Sequence, residues 1–230
     1  MDERVSPRGA AMRDDVPMND RSDDGPSVPS VTVRHEPVQA RAAQRVEALL
    51  DAAAAVVVEH GIEHLTTALV AERAGASIGT VYRYFPDRVA VLVALAERNH
   101  ERMRHAVGRV LAMPHETWQE AAEALFDTMI EIFRELPSFR SLRAGEGLDL
   151  GPQHREPVAP QFAAVVEAHV RERWGIELDD AGRIDLEKAI GGLDALVTYA
   201  FLHDADGDAR YLELGRECAL RHLTAAFGEA

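Results

Sequence analysis

Cysteine occurs once in the 230-residue chain, at Cys218, and lysine once, at Lys188. A lone cysteine excludes an internal disulfide framework and suits a reducing compartment. No run approaches the roughly 18 to 20 uninterrupted apolar residues of a membrane span, so no membrane partner is expected. The acidic, proline-rich N-terminus lacks an apolar h-region. No secretory signal peptide is therefore expected, and the cytoplasm is the expected compartment. Metal-ligand spacings of the H-E-x-x-H or cysteine-rich kind are missing, as are a nucleophile motif and a phosphate loop. His100, His105, His154 and His169 thus read as solvated or hydrogen-bonded histidines, and Cys218 as a small core residue. The chain is expected to be no enzyme, with no catalytic residue, cofactor or metal.

An excess of positive charge is also missing. The net charge is −14, and 24 arginines against one lysine read as GC-rich coding bias. At first sight this argues against a nucleic-acid partner, but its distribution matters more. Residues 106–230 carry 12 basic against 23 acidic groups, whereas residues 41–105 balance 8 arginines with 8 acids. Any contact with DNA must rest on local arginines and helix dipoles, with little long-range steering.

What is present is helix after helix. Residues 1–40 hold 5 of the 11 prolines and no apolar periodicity, so they are expected to be a disordered arm. From Arg41 to His60, Val46, Leu49, Leu50, Ala53, Ala54, Val57 and Val58 form a core-facing stripe. Gly61 stops it, with Ile62 folding back in a Schellman-type contact. Thr66 is placed to cap a short helix over about Thr67 to Ala74. Gly75-Ala76-Ser77 is the turn, and Ser77 caps a third helix that Pro86 ends near Phe85. Eight residues span about 12 Å, comparable to a major groove. Asp87 caps a fourth helix from Arg88 to about Ala112.

The expected fold is all-α: a helix-turn-helix unit at 41–87, a connecting helix at 88–112 and a helical domain at 113–230. The order Gly61, Thr66, Val70-Ala71, Ala74-Gly75, Ser77-x-Gly79-Thr80-Val81-Tyr82-x-Tyr84-Phe85 and Arg88 resembles the DNA-binding domain of the TetR family of transcriptional regulators. The resemblance covers about residues 41–100. Two positions depart from it: Ala76 replaces a larger aliphatic, and Arg88 replaces a lysine while keeping the charge.

On that reading Gly79 lets the recognition helix approach the DNA backbone. Thr80, Tyr82 and Tyr84 offer hydroxyls to phosphates. Ser77 and Ile78 face the groove, where Ile78 could touch a thymine methyl, and Arg83 meets a guanine or a phosphate. Arg88 holds a further phosphate with the free N–H groups of the fourth helix. The resemblance adds Thr66 and Thr67 to the DNA surface. Arg41 and Arg45, poorly placed for the helix dipole, suit either phosphate or plain surface charge. Val81 and Phe85 point inward.

In the C-terminal half the periodicity predicts helices at Thr117–Leu136, Pro137–Leu148, Val158–Trp174, Asp180–His203 and Asp208–Phe227, with a loop at Gly145–Pro152. Phe162, Val165, Val166, His169 and Val170 would face inward from the third of these. Gly191-Gly192 would allow close helix approach. More apolar face on the last two helices than one domain needs suggests a subunit interface through Leu186, Ile190, Leu193, Val197, Leu212, Ala219 and Leu223. The resemblance implies the same homodimer, set on a near-palindromic double-stranded operator. It also implies a ligand cavity, whose lining here would be Phe126, Met129, Phe133, Phe139, Phe162, Val166, His169 and Tyr199. Ordinary core is the other reading of each. A lining this apolar favours a hydrophobic or planar effector. The leading expectation is a ligand-responsive regulator, most simply a repressor. A helical enzyme with a vestigial N-terminal unit and a DNA-binding adaptor without effector are the alternatives.

Overall fold

An unbroken three-and-four spacing of alanine, valine and leucine makes the first long helix, α1, at Glu36–His60. The computed structural model describes residues 36–144 and 158–229; the expected arm up to residue 35 and the Gly145–Pro152 loop lie outside them. The order continues with a 3-10 turn at Ile62–His64, α2 at Thr67–Arg73, α3 at Ile78–Tyr84, α4 at Arg88–Ala112 and α5 at Trp118–Glu135. Then come α6 at Pro137–Ala144, α7 at Val158–Trp174, α8 at Asp180–Ala200 and α9 at Ala209–Phe227. The fold is all-α, with no strand among the described residues.

Side chains set most of the boundaries. Asp87, Thr117, Asp179 and Asp208 each accept a backbone N–H of the first turn they precede. Each such cap contributes about 0.5–2 kcal/mol. The helix α1 starts at Glu36, five residues earlier than expected, because a proline in the first turn, here Pro37, is no obstacle to a helix. The helix α8 stops at Ala200, short of His203, because Asp208 N–H turns back onto the Ala200 carbonyl at 2.9 Å.

Two apolar cores form. Leu49, Val57, Leu65, Val70, Val81, Val91, Leu92 and Leu95 fill the first, from α1 to the first half of α4. Trp118, Phe126, Phe133, Leu186, Val197, Ala219 and Leu223 belong to the second. The helix α4 runs through both, giving Leu95 to the first and Met103 and Ala106 to the second. The short helix α6 joins them from the side: Leu142 packs on the first core and Phe139 lies in the second. Arg140 fixes α6 by donating to the carbonyls of Phe133 and Ala205, both at 3.0 Å.

The helices α8 and α9 approach closely at Gly215, where a Cβ would sit 3.3 Å from Leu196 Cβ. Of the Gly191-Gly192 pair, Gly191 faces α7, where a Cβ would lie 3.8 Å from Ala159 Cβ, and one on Gly192 would meet nothing within 4 Å. The expected inward face of α7 is corrected at Val165, which is exposed. Val170 is buried as expected, Phe162 and Val166 pack on the second core, and Ala163 is a further buried position.

The expected subunit interface needs the largest correction. Leu186, Leu193, Val197, Ala219 and Leu223 are buried within the single chain, with Ile190 and Leu212 packed against the same core. They are the inner seam by which α8 and α9 close their own domain. Apolar side chains left outward on these helices and the turn after α8 are Ile184, Tyr199, Leu202 and Leu214.

Candidate nucleic-acid interface

The α2–turn–α3 unit is assembled by local chemistry. Thr66 Oγ1 accepts the Leu69 N–H at 3.1 Å and opens α2. At its far end Gly75 adopts φ +58°, the Gly75 N–H reaches the Glu72 carbonyl and the Ala76 N–H reaches that of Ala71. That pair of bonds is a Schellman motif. It was expected at Gly61, where φ is +85° and ψ 156° and the chain instead leaves extended into the 3-10 turn. Ser77 Oγ accepts the Thr80 N–H at 3.2 Å and starts α3.

Two residues of α3 are committed to the interior: Val81 is fully buried and Phe85, at its C-cap, nearly so. The opposite face is open, with Ile78 43% and Tyr82 54% exposed and Ser77, Gly79 and Arg83 exposed beside them. An open aliphatic, an open tyrosine and an arginine on seven residues of helix leave an uncovered apolar-and-polar strip. A Cβ on Gly79 would meet only Ser77 Oγ, at 3.9 Å. The fold itself does not require glycine there.

The hydroxyl groups form pairs. Ser77 Oγ and Thr80 Oγ1 lie 2.9 Å apart, and Thr67 Oγ1 donates to Tyr82 OH at 3.3 Å. Thr66 and Thr67 at the head of α2 thereby stand beside the open strip of α3. Tyr84 is turned aside and packs half-buried against the first core, which its placement with Tyr82 as a hydroxyl donor did not anticipate.

The arginines divide. Arg73 forms a two-pronged pair with Glu59, at 2.7 and 2.6 Å, that ties α2 to α1. Arg98, only 9% exposed along its side chain, reaches Asp51 at 2.7 Å, Glu47 at 3.3 Å and the Leu50 carbonyl at 3.2 Å. Sequence reasoning missed both, because the pairing carboxylates lie one or more helices away. Arg88 is corrected: its Nη2 donates to the Ile62 carbonyl at 2.7 Å, so the guanidinium turns inward to close the 3-10 turn. Arg41, Arg45 and Arg83 stay exposed, without an ion pair among the described residues.

The expected cavity lining does not gather as one set. Phe126, Phe133 and Phe139 are buried in the second core, with Met129, Phe162 and Val166 packed against it. Phe133 stacks edge-on to Phe139 at 5.0 Å and lies 5.3 Å from Phe201. His169 stands apart, edge-on to Trp174 at 5.5 Å, and burial holds its imidazole below the usual value. Tyr199 is 52% exposed and packs against Tyr211 on the outer surface, so it lines no interior space. Among the described residues no group of three or more His, Cys, Asp or Glu side chains could hold a metal ion, and no helix is long and apolar enough to cross a membrane.

Residues 49–95 match the family described as bacterial regulatory proteins, tetR family, and residues 116–227 match a tetracyclin repressor-like C-terminal domain. The HTH-type transcriptional repressor KstR of Mycolicibacterium smegmatis is 42% identical over 60 residues, which cover 26% of this chain and 29% of that protein. The chain thus spans under a third of the length of that curated repressor. A TetR-family transcriptional regulator from Streptomyces coelicolor superposes with a TM-score of 0.62 at 29% identity, over 79% of this chain and 99% of that one. The fatty acid degradation regulator FadR from Bacillus halodurans shares the fold, with a TM-score of 0.60 at 22% identity, over 78% and 94% of the two chains.

Proposed function

The chain belongs to the TetR family of bacterial regulatory proteins, and from that premise we propose that it is a repressor that binds a near-palindromic operator as a homodimer and leaves it when a small hydrophobic effector binds. The observation that carries the DNA reading is the open face of α3, with Ile78, Gly79, Tyr82 and Arg83 outward and Val81 inward. Arg83 and Ile78 read bases there. Ser77, Thr80, Tyr82, Thr66 and Thr67 hold phosphates, as do Arg41 and Arg45 on α1. Residues 41–87 make the helix-turn-helix DNA-binding domain, 88–112 the connecting helix, and 113–230 the effector and dimer domain. The protein works in the cytoplasm, beside the chromosome, and carries no catalytic step.

Repression follows from occupying an operator, and the name of the KstR relative supports that sign. The partner surface is the outward strip of α8, α9 and their turn, with Ile184, Tyr199, Leu202 and Leu214. Two copies joined there present two α3 helices, which a locally neutral domain needs for useful affinity. Phe126, Met129, Phe133, Phe139, Phe162 and Val166 supply the apolar surface for an effector, which acts by favouring a state with misplaced recognition helices. The dense ring stack around Phe133 favours a second reading, an adaptor with a filled core and no effector.

The test is a selection of genomic fragments bound by the full chain, followed by gel shifts at several salt concentrations. A sequence-selective, salt-sensitive shift is expected; uniform retention of all fragments would sink the reading. Melting of the protein with a panel of hydrophobic compounds separates the repressor from the adaptor, since an effector raises the melting temperature and releases DNA.

A further inference from the structure

The 3-10 turn at Ile62–His64 lies against the heads of two helices. The Ile62 carbonyl accepts Arg88 Nη2, from the first residue of α4, at 2.7 Å, and His64 stands two residues before Thr66, the cap of α2. Two residues of chain span at most about 7 Å. Thr67 donates to Tyr82 OH, so a run of short steps leads from His64 to the open strip of α3. The arginines beside this turn are spent. Arg73 on α2 is paired with Glu59, while Arg88 has its Nη2 on the Ile62 carbonyl and its Nε sealed without a partner. His64 is open instead, with its side chain 68% exposed. Its Nδ1 lies 2.8 Å from the His60 carbonyl. A carbonyl only accepts, so Nδ1 carries a hydrogen, and Nε2 is the nitrogen that gains and loses the second proton.

We infer that His64 is a phosphate contact made by the protonated ring, so that binding to duplex DNA takes up a proton at this residue. Histidine is the side chain that changes charge between roughly pH 5 and 8. The neutral ring offers phosphate no hydrogen from Nε2 and no charge to offset Glu63, whose carboxylate lies 3.5 Å from Nδ1. The protonated ring offsets Glu63 and gives its Nε2–H to a phosphate oxygen as a charge-assisted donor. The other charged groups around the turn are occupied. Glu59 is neutralised by Arg73, Asp87 is turned to the Ala90 N–H, and His60 lies 4.0 Å from Glu59. Residues 41–105 balance 8 arginines with 8 acids, so one added positive charge at this edge changes the field that DNA meets. The inference rests on the regulator reading and adds to it a dependence on pH.

Fluorescence anisotropy of the full chain tests it with two labelled duplexes, the selected operator and a mixed-sequence duplex of the same length. From about pH 8 to about pH 6 at fixed ionic strength, the wild-type affinity for both should rise about threefold to tenfold. The salt slope should steepen by about 1 over the same step. His64→Gln keeps a polar side chain and removes the charge, so the rise should shrink to less than about twofold and the slope should stay at its high-pH value. His64→Arg should bind at high pH about as tightly as the wild type does at low pH, and His60→Gln should keep the wild-type rise. Melting curves at both pH values check that each variant is folded; where one is not, the wild-type slopes and the other variant decide. An undiminished rise in folded His64→Gln would overturn the inference, as would a wild-type salt slope that does not change with pH. A pH response intact on both duplexes, without preference for the operator, would strike the regulator reading and leave this contact standing.

Discussion

Thr67 at the head of α2 donates its hydroxyl to that of Tyr82 on α3, at 3.3 Å, so residues 15 apart present one joined pair of hydroxyls beside the exposed Ile78. Neither group is needed to fill the core, since Tyr82 is more than half exposed. The pair links the first turn of α2 to the face that α3 shows to solvent.

Removal of that face should weaken operator binding without harming assembly. Tyr82→Ala and Arg83→Ala should each cost about 1–3 kcal/mol in operator affinity. Tyr82→Phe, which keeps the ring, should cost about 0.5–1.5 kcal/mol. Fluorescence anisotropy with labelled operator at fixed salt reads the effect, and sedimentation confirms unchanged assembly. Unaltered affinity in both alanine variants would remove α3 as the recognition helix.

The arginines should separate by kind of effect. Arg88→Met removes the charged donor to the Ile62 carbonyl and leaves it only the Leu65 N–H at 3.3 Å, so it should destabilise the fold by about 1–3 kcal/mol while leaving the salt dependence of DNA binding in place. Arg41→Ala and Arg45→Ala should leave the melting temperature alone and each reduce the salt slope by about 1. Thermal melts paired with affinities over a salt series distinguish the two outcomes.

Inner and outer faces of the last two helices should also part company. Leu186→Ala, at a fully packed position, should cost about 2–5 kcal/mol of stability in a denaturant titration. Tyr199→Asp together with Leu214→Arg lies on the outward strip and should leave a folded monomer in sedimentation velocity. A persisting dimer would move the partner surface elsewhere.

His169 predicts a pH dependence with a definite sign. Burial lowers its pKa, Glu172 opposes that, and His115 and Arg173 add to it. The unfolded chain therefore takes up the proton first as pH falls below 6.5. Its contribution to stability is complete above that value and declines as pH drops toward the folded pKa. An NMR titration of the ring should give a midpoint below 6.5, and His169→Phe should flatten the stability profile in that window. A midpoint above 6.5 would contradict the burial of the ring.

Much of the fold was legible in the chain because its signals are local. Thr66, Ser77, Asp87 and Thr117 each accept an N–H three residues on, so the residue and its partner sit together in the sequence. Val158–Trp174 and Arg88–Ala112 ended where periodicity and proline placed them. The open face of α3 was readable for the same reason, since a seven-residue helix with Val81 and Phe85 inward leaves few places for Ile78 and Tyr82. Periodicity could not say what covers an apolar stripe. Leu186, Val197 and Ala219 carry the pattern of a subunit seam, but their own domain buries them.

Residue order thus settled the helices, their caps and the two-helix unit, through interactions that span a turn or two. Packing across the chain assigned the partners: Arg88 to the Ile62 carbonyl, Arg98 to Asp51, and Tyr199 to the outer surface. Such assignments join groups dozens of residues apart or separate neighbours on one helix. They depend on which surfaces meet, and that is a property of the assembled cores rather than of any stretch of sequence.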